Sequence, residues 1–216
     1  MALAMEVIGR LDESEKWYRE VTGREPDNAL AFMGLGICLQ HKADFAAAAE
    51  AYRRALAADS QNIDARCNLA ACLTRIGKAA EAVAECRNAL KLSPRAATVW
   101  YVLGNVHSSN GQWTEALDAF RQAVANNPTY PDARCNLGVA LAQLGRMDEA
   151  ISTYRENLQT SPRHVNTHLN LGNLLARVGR PDEAAAEFTE VLRIEPGHAA
   201  ARRALDALKA GRPLGG

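Results

Sequence analysis

His164 and His168 lie four residues apart, a spacing that can bring two imidazoles on a helix to one metal. No third ligand stands at a suitable distance along the chain, so the pair defines no metal site. His168 falls on a helix face read below as core, and His164 in the turn before it. The chain holds no phosphate-cradling G-x4-G-K-S/T, no H-E-x-x-H and no dinucleotide fingerprint after a strand. No catalytic residue and no cofactor is assigned, and the chain is expected not to be an enzyme. Its five cysteines are an odd number and form no C-x-x-C pair. Cys38 and Cys72 are 34 residues apart, and Cys67 and Cys135 twice that. That is repetition rather than a disulfide framework, and it fits small packing residues in a reducing compartment.

The clearest chemistry belongs to carboxamides. Asn68, Asn136 and Asn170 share one place in a 34-residue register, and Asn105 and Asn173 share another. A carboxamide presents donors and an acceptor together. A row of them can meet both the N–H and the C=O of an extended peptide with little regard for its side chains. Arg75 and Arg177, at a further shared place, would add charge at the rim. The alternative is a solvated polar face propagated by duplication of the repeat.

The register is set by Trp100-x2-Leu103-Gly104-x2-His107, followed by Ala116, Phe120 and Pro128. The same template appears as Phe32-x2-Leu35-Gly36-x2-Leu39 before Ala48 and Tyr52, and as His168-x2-Leu171-Gly172-x2-Leu175 before Ala184, Phe188 and Pro196. A fixed period of this size marks a repeat array. With proline placed at position 32, that place holds Pro26, Ser60, Pro94, Pro128, Pro162 and Pro196. Position 15 holds Gly9, Ala43, Gly77, Gly111, Gly145 and Gly179; position 20 holds Ser14, Ala48, Ala82, Ala116, Ala150 and Ala184.

Each period divides into two helices. Positions 4, 7, 8 and 11 are mostly apolar or small and form one face of the first. Glycine at 15 ends it, because glycine accepts the left-handed conformation of a helix stop. Positions 20, 24 and 27 are the buried face of the second, whose first turn carries acids such as Asp148, Glu149, Asp182 and Glu183. Proline at 32 stops it. Glycine at 8 and alanine at 20 permit close approach, and the aromatic at 24 fills what is left. Cys86 replaces that aromatic in the third repeat, whose core is expected to be the least filled.

These residues resemble the tetratricopeptide repeat (TPR) family over nearly the whole chain. The resemblance implies an all-α fold, an α-solenoid of tandem 34-residue helix-turn-helix repeats forming a right-handed superhelix. The expected division is a truncated first repeat at 1–28, full repeats at 29–62, 63–96, 97–130, 131–164 and 165–198, a capping helix at 199–211 and a flexible tail at 212–216. The short start reads either as a cap or as a cut from a longer protein. On a helical wheel positions 2, 6, 9 and 13 lie opposite the core face. In the family that face lines the concave groove. It carries Asn68, Asn105, Asn136, Asn170, Asn173, Arg75 and Arg177, and its asparagines are similar to the ladder in the repeat arm of O-linked N-acetylglucosamine transferases. The lysines of the chaperone-tail-binding subfamily are missing.

Charge balance of 25 basic against 25 acidic residues argues against a nucleic-acid or polybasic membrane partner. No apolar run is long enough to span a membrane, and Met1 to Ile8 lacks the basic flank of a signal peptide, so a cytoplasmic location is expected. The leading reading is an adaptor binding an extended peptide or partner helix in its groove. The others are a substrate-selecting arm of a larger enzyme such as a glycosyltransferase, and a self-assembling scaffold. The groove face is apolar only towards its N-terminal end, at Leu3, Val7, Leu30 and Ile37 with Met33 beside them, which suggests a homodimer contact or the docking of missing sequence there.

Overall fold

The computed structural model describes residues 10–210. They form α1 (Leu11–Arg24), α2 (Ala29–His41), α3 (Phe45–Ala58), α4 (Ile63–Arg75), α5 (Ala79–Leu92), α6 (Ala97–Ser109), α7 (Trp113–Asn126), α8 (Pro131–Gln143), α9 (Met147–Thr160), α10 (Val165–Arg177), α11 (Pro181–Ile194) and α12 (Ala199–Lys209). No strand occurs among the described residues. The chain is an all-α array of tandem helix-turn-helix repeats, the α-solenoid class. The helix expected ahead of α1, with Leu3, Val7 and Gly9, lies outside the described residues. The chain divides into two compact units between Gly111 and Gln112, so α1–α6 belong to the first and α7–α12 to the second.

Position 15 turns each first helix into its second. Gly77, Gly145 and Gly179 have φ of 76°, 77° and 76°, and Ala43 adopts the same left-handed conformation at φ 60°. The residue after each donates its N–H back five residues, as in Asp44 to Leu39 (2.9 Å) and Lys78 to Leu73 (2.8 Å). That bond is the signature of a Schellman stop, and it needs a positive φ just before it. Asn28 and Asn62 then cap the next first helices, each Oδ1 accepting from the backbone N–H three residues on at 2.9 Å.

The core follows the small-residue pattern. Ser14, Ala48, Ala82, Ala116, Ala150 and Ala184 are all fully buried. Glycine at position 8 makes room for the ring at 24: a Cβ on Gly36 would stand 2.5 Å from Tyr52 Cε1, and one on Gly138 would stand 2.4 Å from Tyr154 Cε1. In the third repeat Ala70 and Cys86 are both buried. The methyl of Ala70 therefore occupies part of the space that the missing ring vacates.

Position 4 departs from the apolar face expected of it. Its side chains reach back to the carbonyl at position 32 of the preceding turn. Arg66 Nη2 donates to Ser60 O (2.9 Å), Trp100 Nε1 to Pro94 O (2.9 Å) and Arg134 Nη2 to Pro128 O (2.6 Å). His168 Nε2 does the same to Pro162 O (3.0 Å), and Arg202 Nη2 to Pro196 O (2.7 Å). In the second repeat position 4 is Phe32, which has no donor. There Arg54 from α3 lies over the Phe32 ring, 5.0 Å from its centroid, and reaches Pro26 O at 3.4 Å. The face is thus apolar along its stems and polar at its tips, which is why residue type alone misread it.

Candidate functional site

The helices that carry the asparagines are α4, α6, α8 and α10, and the two units present them separately. In the first unit Asn68 is half-buried on α4, and Asn105 is half-buried on α6. A recess of about 260 Å³ opens between these helices and the start of α3. Ala71 and Arg75 come to it from α4, and Val102, Asn105 and Ser109 from α6. These five occupy positions 6, 9 and 13 of the register. Cys72 and Val106, both buried, form its floor. Arg75 is held at the edge, its guanidinium 4.4 Å from the centroid of the Phe45 ring. Asn68 is not among the residues that line this recess, though it shares the face.

In the second unit a smaller recess of about 120 Å³ lies between α8 and α10. Val139 and Gln143 line it from α8, and Asn170, Asn173 and Arg177 from α10. Asn173 and Arg177 are exposed, while Asn136 and Asn170 are half-buried. Asn170 is not a free carboxamide, because its Nδ2 donates to Cys135 Sγ at 3.3 Å. Asn136 also has an interaction of its own within the described residues. The two recesses therefore differ: the first is wider and mostly apolar, the second narrower and evenly mixed.

Of the apolar residues expected towards the N-terminal end of the face, Leu3 and Val7 lie outside the described residues. Leu30 is 79% exposed. Met33 instead packs against the cluster of Phe32, Ala55 and Ala65, and Ile37 is half-buried. Gly34, where other repeats carry the asparagine of position 6, leaves no room for any side chain: its Cβ would fall 2.1 Å from Tyr18 Cζ. The Tyr18 ring of the preceding repeat takes that space, so the asparagine row begins only at α4.

His164 and His168 point to different partners. His164 Nδ1 lies 2.7 Å from Thr167 Oγ1, and its Nε2 lies 3.1 Å from Asp132 Oδ1. His168 is 7% exposed, with Nδ1 at 2.6 Å from Glu187 Oε2. No cluster of three metal-ligating side chains occurs among the described residues. The sequence reading missed one polar knot. Asn157, fully buried where other repeats have alanine or valine, donates from Nδ2 to Pro131 O (2.9 Å) and Thr167 Oγ1 (2.7 Å).

Burial raises the thiols of Cys67 and Cys72 to about 11 and that of Cys86 to about 12. Burial also pushes the Cys135 thiol up, against the hydrogen bonds from Thr167 and Asn170. Such thiols stay protonated near neutral pH and act as packing groups rather than nucleophiles.

Most arginines beyond the recesses are engaged by carboxylates. Arg146 and Arg180 pair with Glu149 and Glu183 one turn on, at 2.6 Å each. Arg53 and Arg155 cross to Glu81 (2.7 Å) and Glu183 (2.8 Å) of the following repeat. The first-turn acids expected to favour helix N-termini thus also neutralise neighbouring cations. No described carboxylate forms an ion pair with Arg75 or Arg177. No described helix is long and apolar enough to cross a membrane.

Sequence profiles of the tetratricopeptide repeat match residues 2–63, 42–97, 73–131 and 101–165, and a second such profile matches 145–208. No curated protein matches the sequence significantly. Among solved structures, MamA is 28% identical, with 76% of this chain and 96% of MamA covered at a TM-score of 0.63. YrrB, described as a TPR protein with an unusual peptide-binding site, is 23% identical over 88% of this chain and 97% of its own, at 0.60. PilF of Pseudomonas aeruginosa is 22% identical over 98% of this chain and 94% of its own, at 0.74. At their identities the last two likenesses are likenesses of fold.

Proposed function

The chain belongs to the tetratricopeptide repeat family, and from that premise we propose that it is a non-enzymatic scaffold that holds an extended peptide along the asparagine-bearing face of its first helices. Repeats of this family serve as protein-interaction scaffolds. The observation that carries the finer reading is the lining of the two recesses: positions 6, 9 and 13 recur in both, with a carboxamide and an arginine in each. YrrB's peptide-binding site adds support by analogy of fold. The likeness of the asparagine row to a glycosyltransferase arm supports the same grip on a peptide backbone and carries no transferase activity.

A net neutral hydrogen bond contributes about 0.5–1.5 kcal/mol. Asn68→Ala, Asn105→Ala and Asn173→Ala together should therefore weaken a bound peptide by roughly a hundredfold, at ~1 kcal/mol each. The titration uses a peptide selected on the wild-type chain, with thermal denaturation of the triple variant as a folding control. Equal affinity for wild type and triple variant would remove the asparagines from the binding face.

A further inference from the structure

We propose that the recess of the first unit selects an aliphatic side chain with a side-chain carboxylate two residues away, so that the preferred ligand is an extended acidic–aliphatic peptide. This rests on the groove reading above and names the chemistry of its ligand. At about 260 Å³ the recess falls just under the ~300–1,000 Å³ of sites that enclose a small molecule. It is open to solvent, so its natural occupant is a side chain projecting from a longer ligand. Its apolar lining is Ala71, Cys72, Val102 and Val106, with Phe45 at one side. Gln40, Thr74, Asn105 and Ser109 supply the polar part. Burying an aliphatic side chain there releases water from apolar surface on both partners.

The charge at the recess has one sign. Arg75 is its one charged lining residue. Arg53 on a second helix is ion-paired to Glu81, but Arg75 is held by the face of Phe45 instead. Arg75 is exposed, and a guanidinium held through a ring face keeps its N–H donors for another partner. Those donors match the two oxygens of a carboxylate. Successive side chains of an extended strand point to opposite sides, so residues two apart share a side at a separation of roughly 6.5–7 Å. An aliphatic residue in the recess thus places its second neighbour, not its first, on the arginine side. The second recess is less than half the size of the first, about 120 Å³, and Gln143, Asn170 and Asn173 share its lining with Val139, Ala142 and Leu174. The selection therefore resides in the first unit.

The test is a phage-displayed library of random twelve-residue peptides fused through their C-termini, panned on the full chain. The fusion removes any free terminal carboxylate. Selected peptides should be enriched in Leu, Ile, Val or Met two residues from Asp or Glu. Panning on Arg75→Glu should retain the aliphatic residue and replace the acid by Lys or Arg. Val102→Trp, which fills the recess, should abolish the aliphatic preference. An amidated synthetic copy of the best peptide should bind Arg75→Glu at least tenfold more weakly than wild type. If that copy binds only with a free C-terminal acid, the carboxylate is terminal and the proposal fails. Peptides enriched without the pairing, or with the pairing unchanged in both variants, overturn this proposal and leave the groove reading standing. A library that yields no binder overturns both.

Discussion

At position 4 a single side chain ties each repeat to the turn before it, and in the sixth repeat that side chain titrates. Both ring nitrogens of His168 face acceptors, a carboxylate of Glu187 and the carbonyl of Pro162. A neutral imidazole can donate to only one of them. Burial pushes the His168 pKa down, but the hydrogen bonds to Glu187 and Pro162, aided by the charges of Glu187 and Glu190, outweigh it and leave the pKa raised. A raised folded pKa stabilises the fold fully below the unfolded value of about 6.5 and loses that contribution as pH climbs through the folded value. The stability gap between wild type and His168→Gln should therefore be wider at about pH 6 than at about pH 9, measured by urea denaturation. A gap independent of pH would mean that His168 binds its proton equally well folded and unfolded, and a gap narrower at pH 6 that the fold holds it neutral. The sequence placed His168 on the core face correctly but gave no sign of the carbonyl it holds, because that partner lies six residues back across a turn. Asn157 and Thr167 were hidden for the same reason: a buried carboxamide is legible only once its partners on other helices are known.

The elements were legible because their boundaries rest on local chemistry. Glycine at position 15 and proline at 32 each act through a steric rule that needs no tertiary context. Twelve described helices follow that register. The exception among the turns is informative. Ala43 carries the left-handed conformation that its counterparts assign to glycine, at φ 60°. For an L-residue that conformation costs about 1–2 kcal/mol. Glycine would relieve it while adding about 0.4–1 kcal/mol of unfolded-state entropy. Ala43→Gly is expected to stabilise the chain by roughly 0.5–1 kcal/mol, read as a higher urea midpoint. A lower midpoint would show that helix-forming preference, not backbone strain, governs this turn. The asparagine face was legible at the same level, since a helical wheel separates it from the core. What the wheel did not show is that Gly34 surrenders its place to Tyr18, and that Asn170 already serves Cys135.

At the scale of the chain, helix packing within each unit runs between neighbours in sequence: α2 lies on α3, α4 on α5, α8 on α9 and α10 on α11, with the adjoining repeat packed beside them. An array held this way has no single core, and its stability is approximately a sum of repeat and nearest-neighbour contributions. The period alone therefore disclosed the fold class, whereas the proposed ligand chemistry depends on combinations of side chains that the period does not repeat, such as Arg75 against Phe45. The same logic predicts how damage spreads. Phe188 is fully buried against Gly172 in the sixth repeat. Replacing it by alanine should cost about 3–5 kcal/mol locally. In a globule with one core that loss would appear at every slowly exchanging amide. Here the amides of α10, α11 and α12 should exchange on the order of a hundredfold faster, while those of α2–α5 change by less than about threefold. Hydrogen-exchange mass spectrometry of the full chain reads both ends in one experiment. Equal acceleration from α2 to α12 would mean that the two units open together, and that neighbour-to-neighbour packing transmits more free energy along the array than any one repeat holds for itself.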